Sequence, residues 1–122
     1  MFNSLKLGHK QQEVMKMKVE YNKLVRDKIP QIIKDSGRTC EYKVLGDSEI
    51  KDALKEKLIE KAQIFSNKPS EDELSDIYEL LNAIVETYDY EPLHIDYLKL
   101  QNKEHKGTYS NRVYLISVDD GQ

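Results

Sequence analysis

Three stretches of apolar residues recur at helical spacing with only a few residues between them, and this pattern leaves the chain little choice but a set of packed antiparallel helices. The first is Ile50, Leu54, Leu58, Ala62 and Phe65, with Ser48 placed to cap its start. The second opens after Pro69 and Ser70 and carries Leu74, Ile77, Tyr78, Leu81, Ile84, Val85 and Tyr88. The third starts at Pro92 and runs to His105, with Leu93, Tyr97 and Leu100 inward, and Gly107 stops it. Short connections bring such helices back against one another, so the expected fold is mainly α, an antiparallel helical bundle.

The flanks add two smaller elements. Pro30 starts a short helix with Ile29, Ile32 and Ile33 as its apolar contacts, and Gly37 lets the chain leave it. Thr39 to Leu45 then alternates, with Cys40, Tyr42 and Val44 on one face. Arg112 to Val118 is the other strand-like run, so the two are expected to pair as a small two-stranded antiparallel sheet backed by a helix. Residues 1–18 have mixed charge and scattered apolar positions, with a helix expected from Gln11 onward. They read either as a partner-binding arm or as residues ahead of a start at Met15 or Met17.

At 122 residues the chain suits a single core, so a site must form within that fold or be shared with a second copy. The net charge is −3 with both signs interspersed, which argues against a general nucleic-acid surface. Cys40 is the only cysteine, so no intramolecular disulfide forms, and the composition suits a reducing cytoplasm. No apolar stretch is long enough to cross a bilayer. His9, His94 and His105 share no metal-ligand spacing with cysteine or carboxylate, which speaks against a zinc site.

Residues 21–33, YNKLVRDKIPQII, set Lys23, Arg26 and Lys28 immediately before the proline-started helix. Cations beside free first-turn amides form a phosphate receiver; the alternative reading is a solvated basic loop. This segment resembles the opening signature of the MazG-like all-α nucleoside triphosphate pyrophosphohydrolases, in the small branch labelled phosphoribosyl-ATP pyrophosphohydrolase-like. The resemblance continues through Lys57, Leu58 and Glu60, then Glu73, Leu74, Ser75 and Asp76, and ends with Lys103, Gly107, Tyr109, Arg112, Val113, Tyr114 and Leu115. It covers residues 19–122 as one domain, with 1–18 as an extension.

The resemblance implies hydrolysis between the α and β phosphates of a nucleotide, giving monophosphate and pyrophosphate, and assembly as a homodimer. It implies a Mg²⁺ site of carboxylates on two facing helices, written E-E-x-x-E and E-x-x-D. Mg²⁺ takes hard oxygen ligands, and carboxylates one helical turn apart converge on one point. In this chain the first motif has become Glu60, Lys61 and Ile64, so two of its three glutamates are gone. Glu73 and Asp76 remain, with Glu79 a turn later as a weaker ligand. The resemblance also places Lys103, Tyr109 and Arg112 against the substrate, in KEHKGTYSNR where the family pattern has K-x-x-x-R-G-G-F-x-x-R. Tyr109 has the alternative of anchoring the loop, and Arg112 that of pairing with Asp27.

Lys61 lies seven residues beyond Leu54, near the middle of the apolar stripe, where an ammonium needs a partner. Glu73 or Asp76 on the facing helix can supply one, and the ammonium then replaces the lost metal. Each carboxylate also has a structural reading. Ser70-x-x-Glu73 is a capping box, Asp76 projects off the apolar face toward solvent, and Glu79 projects to the surface. Two functions stay open: a Mg²⁺-dependent nucleotide pyrophosphohydrolase using Glu60, Glu73 and Asp76, or a catalytically degenerate nucleotide-binding or regulatory homologue. A third is a partner-binding protein working through residues 1–18.

Overall fold

The computed structural model describes residues 18–121, so the helix expected from Gln11 and nearly all of the extension at 1–18 lie outside the described residues. The chain divides into two units, Met1–Lys43 and Val44–Gln122. The first contains α1 (Ile29–Asp35) and the second contains α2 (Asp47–Asn67), α3 (Glu71–Thr87) and α4 (Pro92–Lys106). The protein is thus mainly helical, as the apolar spacing requires. Among the described residues no helix is long and apolar enough to cross a membrane.

In the first unit, Pro30 occupies the first turn of α1, where its missing N–H costs nothing. The helix ends in a Schellman arrangement: the Gly37 amide donates to the Lys34 carbonyl and the Arg38 amide to that of Ile33, with Gly37 at φ +86°. Ile29 and Ile33 are half-buried, but Ile32 is exposed rather than packed. Cys40 lies in no strand; its thiol donates a long contact of 3.9 Å to the Pro30 carbonyl, back on α1.

In the second unit, α2 starts one residue before the Ser48 cap that the sequence suggested. Gly46 is the N-cap, and its amide donates to the Glu49 carboxylate at 3.3 Å. Asp47 and Glu49 in the first turn also suit the positive end of the helix. The three-residue connection from Lys68 to Ser70 then turns the chain back, so α3 runs antiparallel along α2. This is the one extensive helix–helix contact among the described elements.

The seam between the two helices differs from the sequence projection in an informative way. On α2 Ile50, Leu54, Leu58, Lys61 and Phe65 are withdrawn from water, as are Ala53, Lys57 and Glu60 beside them, whereas Ala62 is exposed. Steps of three and four residues follow a partner helix better than a strict 3.6-residue spiral does, so the seam passes through Lys61 and misses Ala62. Leu54, at 3 % exposure, is the only fully buried apolar residue described. On α3 the half-buried Glu73, Asp76, Ile77, Leu80 and Ile84 form one face, continued by the C-cap Tyr88, with Ala83, Val85 and Thr87 half-buried beside its last turns, while Leu74, Tyr78 and Leu81 form a second, exposed face. Asp76 is therefore at the seam, not off the apolar face as projected. The projection averaged two apolar faces of α3 into one and pointed between them.

The open end of the hairpin is held by aromatic contacts. Lys51 Nζ lies 5.3 Å from the centre of the Tyr88 ring, which stacks on Tyr90 at 5.4 Å between centroids. Between those tyrosines α3 ends in a second Schellman arrangement, with the Asp89 amide donating to the Glu86 carbonyl and the Tyr90 amide to that of Val85. Here the left-handed residue is Asp89, at φ +57°, with no glycine to carry it.

Two expectations do not hold. Leu93, Tyr97 and Leu100 of α4 are exposed rather than inward, because the α2–α3 hairpin spends its apolar seam on itself and leaves them no cover among the described residues. The small two-stranded antiparallel sheet is not formed either: no strand occurs among the described residues, and Tyr42, Val44, Val113, Tyr114, Leu115 and Ile116 are all exposed. Alternation reports that side chains suit a pleated surface, not that a partner lies beside them, and a lone two-stranded ribbon is marginal in water.

Two stability measurements follow. Leu54→Ala empties the one fully buried apolar position among the described residues and should cost about 2–5 kcal/mol in denaturant unfolding. Asp89→Gly relieves the left-handed residue, offset by greater unfolded-chain freedom, for a net gain of roughly 0.5 kcal/mol and a raised unfolding midpoint.

Candidate functional site

The polar residues of the α2–α3 seam meet about one and a half turns from the connection. Lys61 Nζ donates a hydrogen bond to Asp76 Oδ2 at 3.2 Å and lies 3.6 Å from Glu73 Oε1. All three side chains are mostly withdrawn from water, with 22 % of the Lys61 side chain exposed. Lys61 reaches both carboxylates because Glu73 and Asp76 are three residues apart on α3 and so share a face. The ammonium thus stands between two carboxylates of the facing helix.

The capping reading of Glu73 is half realised. Ser70 Oγ accepts from the Glu73 amide at 3.1 Å and so caps α3. The Glu73 carboxylate turns toward Lys61, and its Oε1 is buried without a hydrogen bond. An acceptor shielded from water and held only by a longer ionic contact is a site of unspent hydrogen-bonding capacity. Sequence alone offered no way to choose between cap and seam, since position N3 of α3 serves both.

Burial lowers the proton affinity of the Lys61 ammonium, but the hydrogen bond to Asp76 and the charges of Asp76 and Glu73 outweigh it and raise its pKa above the ordinary lysine value. Lys61 is therefore a fixed cation at neutral pH. It has neither the lowered pKa of a general base nor that of a nucleophilic amine.

Of the other expected site residues, Glu60 accepts an ion pair from Lys57 on its own helix at 2.8 Å, and Glu79 is exposed on α3. Lys57, whose side chain is only 20 % exposed, entered the sequence reading only as part of the resemblance; its pairing with Glu60 was signalled by the Lys-x-x-Glu spacing. Ile64 lies at the exposed edge of α2. Among the described residues no group of three or more His, Cys, Asp or Glu is placed to hold a metal ion.

The expected phosphate contacts fall in both units. Lys23, Arg26 and Lys28 are exposed residues of the first, where Lys28 is the N-cap of α1 without a side-chain cap bond. Lys103 sits in the last turn of α4, suiting its negative end, and its carbonyl accepts from the Gly107 amide. Tyr109 is 98 % exposed and anchors nothing through its ring; the Arg112 amide donates to the Tyr109 carbonyl, closing a turn in which Arg112 adopts φ +58°. No family model, no curated protein and no solved structure matches this chain.

Because the pKa of Lys61 is raised on folding, its contribution to stability is complete below the unfolded lysine value of about 10.4 and is lost as pH rises through the folded value. Unfolding followed between neutral and strongly alkaline pH should show this loss, and Lys61→Arg, which stays charged, should remove that part of the slope. Lys61→Ala leaves the Glu73 and Asp76 carboxylates facing the seam without their cation and should destabilise by about 1–3 kcal/mol. Combined with Asp76→Asn, the loss should be less than the sum of the single changes.

Proposed function

We propose that this chain is a MazG-like relative that binds a nucleotide, or a similar phosphorylated small molecule, and in which the Lys61 ammonium has replaced the catalytic divalent ion. The observation that carries the reading is the position of Lys61 Nζ, 3.2 Å from Asp76 and 3.6 Å from Glu73, between the two carboxylates that the resemblance assigns to the metal. An ammonium there offsets one of the two negative charges and holds α2 to α3, the structural part of what an ion would do. It supplies no open coordination position, so it neither activates water nor polarises a phosphate as a divalent ion does.

As they stand, the described carboxylates do not fit a Mg²⁺ ion. Glu60 is engaged by Lys57, Glu79 is exposed, and the remaining pair is engaged by Lys61. Lys23, Arg26, Lys28, Lys103 and Arg112, with Tyr109, are the residues this reading assigns to ligand binding, since their charge suits phosphate and their side chains are accessible. A second copy of the chain belongs to the same reading, as cover for the exposed Leu74, Tyr78 and Leu81 face of α3.

One observation favours an active pyrophosphohydrolase instead. The buried Glu73 Oε1 accepts no hydrogen bond, and a cation other than Lys61 could claim it. Calorimetric titration with Mg²⁺ or Mn²⁺, beside a pyrophosphate-release assay over a panel of nucleoside triphosphates, separates the two. The proposal expects nucleotide binding that does not require the metal, no pyrophosphate release, and new Mg²⁺ affinity in Lys61→Glu combined with Ile64→Glu. Tight metal binding by the unaltered protein, together with pyrophosphate release abolished by Asp76→Asn, would establish the hydrolase.

A further inference from the structure

We draw no further inference here: the strongest candidate, the surface patch at the open end of the α2–α3 hairpin where the exposed Tyr90 ring stacks on Tyr88 beside Lys51, belongs to the closure of the hairpin already described, and nothing in the structure shows what covers it.

Discussion

The ion pairs of Lys61 with Asp76 and Glu73 organise the part of this molecule that has a defined interior. They connect α2 to α3 near the turn, while Lys51 over the Tyr88 ring connects them at the open end, and Leu54 is buried between. A seam with so small an apolar core depends heavily on its polar contacts. At half-buried positions a single cation between two carboxylates is worth more as a set than as separate pairs, because removing the cation also leaves two like charges facing each other. The raised pKa of Lys61 records the same balance, with attraction from the carboxylates exceeding the cost of burial.

That arrangement also limits the chemistry. A cluster of the same residue types without Lys61 would be an acidic pocket, with strong attraction for a divalent ion. With Lys61 one of its two negative charges is offset, and Glu60 is drawn to Lys57 along its own helix. The residues suited to phosphate, by contrast, are accessible.

The exposed apolar residues have a common cause. Antiparallel packing of two helices covers one face of each, and α3 has two such faces, α4 one, and the C-terminal run both of its sides. Among the described residues these side chains are left exposed, because the α2–α3 hairpin covers only the faces it packs together. The single-chain sheet expected between Thr39–Leu45 and Arg112–Val118 failed for the related reason that two short strands need a third layer to stand on.

Much of this was legible in the residues. The helices and their stops followed from apolar spacing together with Pro30, Ser70, Pro92, Gly37 and Gly107, since these are local properties of a few neighbouring positions. The need of Lys61 for a carboxylate partner also followed, because a stripe position predicts burial and burial of an ammonium demands a counter-charge. What the sequence could not determine was rotation about each helix axis. Whether Asp76 faces the seam or water, whether Ala62 or Lys61 lies in the groove, and whether Glu73 caps α3 or pairs with Lys61 depend on which of two apolar faces of α3 meets α2. Only tertiary packing made that choice, because both faces carry apolar side chains and they differ in what the partner helix offers them: the Lys61 ammonium on one side and solvent on the other.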